Sequence, residues 1–170
     1  PDAYFPVPEF VPDGLAVSRA FALAISRRES EFDPAARSAA DARGLMQVLP
    51  STAEHVAPRV GLTYDAARLN DPAYNVRIGT GYLAELVGKF GPSVALVASG
   101  YNAGPGRPTR WIGTMGDPRD PSVDVIDWVE MIPFTETRTY VMRVVESLVI
   151  YRAKLKGVAG PVRVTAELRG

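Results

Sequence analysis

The sequence contains no cysteine and a single histidine, His55. The first absence excludes disulfides, thiolate metal sites and a cysteine nucleophile. The second excludes a cage of histidines around a metal, so no metal site and no cofactor are expected. Net charge is missing too, because 19 Lys and Arg balance 19 Asp and Glu. Such a chain lacks the basic footprint of a nucleic-acid binder and has no simple attraction to anionic lipid. Long apolar runs are also absent. The Val94–Ala98 stretch falls far short of the ~20 residues that a membrane span needs. Pro1 to Pro12 is proline-rich and holds no apolar signal core.

What remains is the composition of an ordinary globular chain, with 170 residues, 46% hydrophobic and 22% charged. That length suits one mainly α domain, and no repeat is visible. Prolines at 1, 6, 8 and 12 keep residues 1–14 extended as an arm. Phe21, Ala24, Ile25 and Phe32 recur at helical spacing and predict a helix from about Leu15 to Phe32, ended by Asp33-Pro34. Residues 33–44 read as a loop closing at Gly44, and Leu45–Leu49 as a short turn that Pro50 breaks. Ser51-Thr52-Ala53-Glu54 matches a capping box that starts a helix at Ser51. Asp71-Pro72 opens another helix, with Ile78, Tyr82, Leu86 and Phe90 on one face, and Gly91-Pro92 stops it. A further helix runs to about Ser99. Residues 100–107 read as a loop, 108–112 as a short helix and 113–121 as a linker. The final helix runs from about Thr135 to Lys156, with Val141, Val144, Leu148, Tyr151 and Leu155 inward. The tail is residues 157–170, where Val162-Arg163-Val164 could pair as a strand.

Three segments hold unusual chemistry. In Arg27-Arg28-Glu29-Ser30-Glu31-Phe32, Glu29 follows Ile25 by four residues and Phe21 by eight, so it continues the apolar stripe. A carboxyl in an apolar wall is held protonated more readily and can act as a general acid. The same position also suits a structural Glu paired with an Arg. In Ser38–Pro50, Gly44 permits a tight turn, Met46 an adaptable apolar surface and Gln47 both donor and acceptor. A core Met at a helix-terminating turn fits equally well. Tyr101-Asn102-Ala103-Gly104-Pro105-Gly106 places a phenol and an amide at a helix end, where they can orient a polar ligand or serve as a plain connector. Tyr82, Trp111, Trp128 and Tyr140 could stack on sugars or pack in the core, and for Tyr82 the core is preferred.

In this order and spacing, these segments resemble the catalytic domain of soluble lytic transglycosylases over about residues 15–156. The stretch Trp128-Val129-Glu130-Met131-Ile132-Pro133-Phe134-Thr135-Glu136-Thr137-Arg138-Thr139-Tyr140 is similar to the large periplasmic branch, which carries an α-superhelix before that domain. Departures are few: Gly100 stands where Ala is common, and Pro108 where a β-branched residue is common. Nothing in residues 157–170 has a counterpart.

The resemblance implies a goose-lysozyme-like helical fold with Glu29 as sole catalytic acid/base. It implies that Ser38 contacts a sugar substituent and that Gly44, Leu45, Met46 and Gln47 form the wall of the sugar groove. Tyr101 and Asn102 match the pair near the catalytic carboxyl, Glu130 a binding carboxylate across the groove, and Tyr140 an aromatic position. The implied activity is non-hydrolytic cleavage of the MurNAc-β-1,4-GlcNAc bond of peptidoglycan, leaving a 1,6-anhydro end. Its rivals are a goose-type lysozyme hydrolase, needing Asp33, Asp41 or Glu130 to position water, and a non-catalytic glycan-binding domain. The implied setting is the periplasm, with glycan strands as partner and the protein a monomer. Either the sequence is a piece trimmed from a superhelical chain or it is a smaller relative.

Overall fold

Helices dominate the computed structural model, which describes residues 4–156 and 164–170, and no named strand occurs among those residues. The chain divides into two compact units, Pro1–Ala84 and Glu85–Gly170, with the division inside one long helix. Each unit is built around its own positioning elements.

In the first unit the proline-rich arm is non-helical, as its prolines require. Two arginines of the helix after it hold it down. Arg19 Nε donates to the Val11 carbonyl at 2.6 Å, and Arg27 Nε donates to the Tyr4 carbonyl at 2.7 Å. The Arg27 guanidinium also lies 4.3 Å from the centre of the Phe5 ring.

Helix α1 spans Arg19–Ser30, shorter at both ends than the apolar spacing predicts. Ser18 sets its start by accepting the Phe21 N–H at 3.3 Å. Its end comes two residues early because Glu31 (φ 51°) and Phe32 (φ 65°) are both left-handed. Ala20 to Ser26 are buried, whereas Glu29, one residue from the helix end, is half-buried.

Helix α2 is Pro50–Val56, with Leu49 as its cap residue and Pro50 as its first helical residue. The capping box at Ser51 is therefore not used. Proline's fixed φ suits the first helical position, which needs no N–H donor. Two short 3-10 turns follow, Ala57–Val60 and Ala66–Arg68. Helix α3 is Pro72–Phe90. It starts as expected, with Asp71 Oδ1 accepting the Ala73 N–H at 3.1 Å. Tyr74, Val76, Ile78 and Leu83 are buried, but Tyr82 is only half-buried.

In the second unit, after the end of α3, come α4 (Val94–Ala103), α5 (Gly106–Met115), α6 (Val125–Glu130), α7 (Thr135–Lys156) and α8 (Val164–Arg169). The expected loop at 100–107 is mostly helix. Helix α4 runs on to Ala103, and only Gly104 and Pro105 separate it from α5. Helix α6 escaped the sequence reading because it has six residues and too few turns to show a period; Asp124 caps it by accepting from Ile126 and Asp127 N–H. Helix α7 packs along α4. Leu155 is 38% exposed rather than inward, since it lies in the last turn.

Two residues of the possible strand, Val162 and Arg163, lie outside the described residues, and Val164 opens a helix instead. That helix packs on α4, α6 and α7. Ser93 Oγ donates to the Leu168 carbonyl at 2.7 Å, and Arg152 pairs with Glu167 at 2.6 Å. Trp111 and Trp128 are 5% and 1% exposed, so they pack in the core. They meet edge to face at 6.4 Å, and Trp128 Nε1 donates to the Gly116 carbonyl at 2.8 Å.

Candidate active site

In the first unit the candidate residues lie on irregular backbone. Every non-glycine residue with positive φ among the described residues lies between 31 and 47: Glu31, Phe32, Asp41 and Gln47. Left-handed backbone costs energy for a residue with a Cβ, and such strain gathers where a fold holds a functional geometry. Gly44 adds φ 76° to the same stretch.

Side chains hold this stretch in place. Residues 43 and 48 form a reciprocal backbone pair, with N–H to carbonyl distances of 3.0 Å in both directions. Between them the turn Gly44–Gln47 is tied on three sides. Gln47 Nε2 donates to the Gly44 carbonyl at 2.8 Å and the Ala36 carbonyl at 3.1 Å. The Met46 N–H donates to Asn75 Oδ1 at 2.8 Å. Ser30 Oγ donates to the Leu45 carbonyl at 2.6 Å. Ser30 is the neighbour of Glu29, so this last bond links the end of α1 to the turn.

Of the four expected wall residues, only Gln47 keeps exposed surface. Leu45 and Met46 are 0% exposed, and Gly44 is buried. Met46 therefore offers no adaptable apolar surface here. It fills a space on α3 that Gly79 leaves open, where a Cβ would stand 2.5 Å from its sulfur. Ser38 is exposed at a tight turn, its Oγ accepting the Ala42 N–H at 3.0 Å. Beneath that turn Asp41 joins two arginines. Its Oδ1 accepts from Arg37 Nε at 2.7 Å, and its Oδ2 from Arg43 Nη2 at 3.0 Å. The Arg43 hydrogen bonds hold the Asp41 carboxyl below its ordinary range; desolvation opposes them and Arg37 reinforces them. No cluster of His, Asp and Glu able to hold a metal ion occurs among the described residues.

In the second unit the candidate residues lie on helices. Tyr101 and Asn102 are half-buried on the last turn of α4. Asn102 Oδ1 accepts from Thr137 Oγ1 at 2.7 Å, and its Nδ2 donates to Glu136 Oε1 at 3.4 Å. The amide is thereby oriented from the first turn of α7. Glu130 is exposed at the end of α6 and lines an open hollow of about 410 Å³ with Arg138, Met142, Arg143 and Glu146. It is not a partner of Asn102. Tyr140, on α7, is 3% exposed, so its ring is core.

A half-buried carboxyl beside a pinned turn, and an oriented amide on a helix end, now stand beside the family comparison. The model of the transglycosylase SLT domain matches residues 13–121. The chain belongs to the SLT transglycosylase family. It is 37% identical over 82% of its length to the soluble lytic murein transglycosylase of Salmonella typhimurium. Among solved structures it is similar to the 70 kDa soluble lytic transglycosylase of Escherichia coli, with TM-score 0.78, 34% identity and 93% of this chain covered. It is also similar to the lytic transglycosylase Slt of Pseudomonas aeruginosa, solved as an inactive glutamate-to-glutamine mutant, with TM-score 0.83, 32% identity and 95% covered. The mainly helical, lysozyme-like architecture expected from the sequence is thus the fold. The chain spans 21% of the length of the Salmonella relative, and 24% and 26% of the two solved chains.

Three residues that hold the candidate groups were given no role from the sequence. Glu136 and Thr137 orient Asn102, and the one available signal was the run of polar residues at the start of α7. Asn75 had a clearer signal, as an amide between apolar Tyr74 and Val76 in a helix.

Proposed function

We propose that this SLT domain cleaves the β-1,4 bond between N-acetylmuramic acid and N-acetylglucosamine in peptidoglycan without consuming water. The observation that carries the reading is Glu29, half-buried in the last turn of α1 and coupled through Ser30 to a turn held in left-handed backbone. The inactivity of the Pseudomonas relative after one glutamate-to-glutamine change supports an essential carboxyl.

Glu29, as the acid, protonates the glycosidic oxygen, and the N-acetylglucosamine side departs with that proton. The substrate's own acetamido oxygen stabilises the positive anomeric carbon. Glu29, now a carboxylate, takes the proton of the muramoyl 6-hydroxyl, whose oxygen closes on the anomeric carbon. The product is a 1,6-anhydro end, and Glu29 returns to its protonated form. One carboxyl suffices, whereas ordinary glycosidases use two.

Ser38 and Gln47 contact sugar substituents, and Gly44, Leu45 and Met46 act through the backbone of the wall. Tyr101 and Asn102 bind the glycan. Glu130 is a further binding carboxylate, and Tyr140 supports this surface from within α7. The catalytic domain is residues 15–156, preceded by the arm 1–14 and followed by the tail 157–170. Glycan strands of the cell envelope, in the periplasm, are the substrate, and an α-superhelical domain is the companion in the whole protein.

The test is Glu29→Gln on purified peptidoglycan, read by mass spectrometry of the released muropeptides. The parent should give anhydro ends, and the variant should lose about 10³-fold or more in turnover with an unchanged circular dichroism spectrum. Near-parental turnover, or reducing ends carrying one added water, would overturn the reading.

A further inference from the structure

We propose that Asn75 is a positioning residue for this chemistry. Its buried amide sets the backbone of the Gly44–Met46 turn and, through Ser30, the placement of the Glu29 carboxyl. This rests on the catalytic role proposed for Glu29.

Asn75 is 0% exposed on a helix face whose neighbours Tyr74, Val76 and Ile78 are also buried. A polar group there is costly unless it is fully bonded. Its bonds go to non-helical backbone. Oδ1 accepts the Met46 N–H, while Nδ2 donates to the Arg43 and Leu69 carbonyls, each at 2.8 Å. Three of the four bonds an amide can make are therefore used. The approach is close as well as polar. A Cβ on Gly44 would collide with the Leu69 carbonyl oxygen and stand 2.5 Å from Asn75 Nδ2. Four residues further along α3, Gly79 leaves room for the Met46 side chain. Residues four apart share a helix face, so Asn75 and Gly79 form one socket, and the Gly44–Met46 turn fills it.

The turn's other side faces α1. The Leu45 carbonyl, between the two socketed residues, accepts Ser30 Oγ at 2.6 Å. Glu29 lies in the same helical turn as Ser30, so a shift of the turn reaches the acid within one residue. No regular ladder fixes residues 31–42, where three of the four left-handed non-glycine residues lie. Turn hydrogen bonds and side chains impose the geometry there, and Asn75 is the buried side chain bonded to both ends of the Arg43–Met46 segment.

The test uses Asn75→Asp, which keeps the shape and the acceptor but removes both donors, with Leu83→Ala as a control. Leu83 is buried on the same helix and makes no bond to the turn. kcat, KM and the pH–rate profile are measured on soluble glycan strands, well below each variant's Tm. Asn75→Asp should lower kcat by about 10- to 100-fold while KM moves by less than about threefold, and should displace the acid limb of the profile. Leu83→Ala should lower Tm and leave kcat within about threefold. If Asn75→Asp lowers Tm as Leu83→Ala does but keeps kcat, the inference fails.

Should Asn75→Asp not fold, Ser30→Ala and Ser30→Thr decide. Ser30→Ala should lower kcat about tenfold, and Ser30→Thr, which retains the hydroxyl, should restore most of it. Equal kcat in both would overturn the proposal. Glu29→Gln is assayed alongside. Retained turnover there removes both readings, whereas a dead Glu29→Gln beside fully active Asn75→Asp and Ser30→Ala leaves Glu29 standing and removes Asn75.

Discussion

The two units present their functional residues by opposite means. In the first, residues 31–48 leave the helix and run through four left-handed non-glycine positions, with side-chain and turn hydrogen bonds at Glu31, Asp41 and Gln47. In the second, Tyr101 and Asn102 sit on an ordinary helical turn, and regular α7 supplies the groups that orient Asn102. The first arrangement stores strain and depends on buried anchors. The second depends on helix packing, with the partners of Asn102 supplied by the first turn of α7. Substitutions that look alike should therefore differ sharply between the units.

The largest contrast is between two glycines that both lie in the motifs. Gly44→Ala would force a Cβ into φ 76° and against the Leu69 carbonyl and Asn75. The expected loss is about 3 kcal/mol, or about 10 °C in Tm. Gly100→Ala places its Cβ 3.4 Å from Leu86 and Phe90, an ordinary contact, inside a helix where Ala is preferred. It should be neutral or stabilising by up to about 1 kcal/mol. Calorimetry of both variants checks the pair. Equal destabilisation would mean that strain is not what distinguishes the units.

A smaller effect is expected where α7 orients Asn102. Thr137→Val keeps the shape but removes the donor to Asn102 Oδ1 at 2.7 Å. Thr137 is 2% exposed, so the variant should cost about 1 kcal/mol in stability. Freed to rotate, the Asn102 amide should bind glycan less well, so KM should rise more than kcat falls. Steady-state kinetics with glycan strands reads the split. An unchanged KM would show that Asn102 needs no such orientation.

How much of this was readable in advance follows the same divide. The long helices were legible because their apolar spacing repeats over many turns, as in α3 and α7. Their ends were less so. α1 stops at Ser30 because of left-handed backbone at Glu31 and Phe32, and no residue type there announces it. α2 begins at Pro50 because proline fits the first helical position as readily as it breaks a helix. Glu29 could be placed on the interior side from periodicity, but its chemistry emerged only from the neighbouring motifs. Met46 and Tyr140 carry residue types suited to a ligand surface, yet burial removes their side chains from it. Partners such as Glu136 and Asn75 depend on contacts 29 or more residues away in sequence, which no local pattern encodes.

The smallest expected effect concerns Asp41, at the rim of the strained segment. The Arg43 hydrogen bonds depress its carboxyl from the ordinary value of 3.8. A depressed acid stabilises the fold wherever it is ionised, so its contribution is fully present above that value and is lost only as pH falls through the lower, folded-state value. The side chain is 41% exposed and solvent screens it, which keeps the effect small. Hydrogen exchange of the Asp41 and Ala42 amides, bonded at 3.0 Å to the Ser38 carbonyl and to Ser38 Oγ, should read it. Protection should be flat from neutral pH down to about 4 and fall below that. In Asp41→Asn it should be lower throughout and flat in the acid range. Protection lost between about pH 7 and 5 would assign the order of the Ser38–Ala42 turn to a different group, and would leave the two arginines as ornaments of the surface rather than anchors of the first unit's strained backbone.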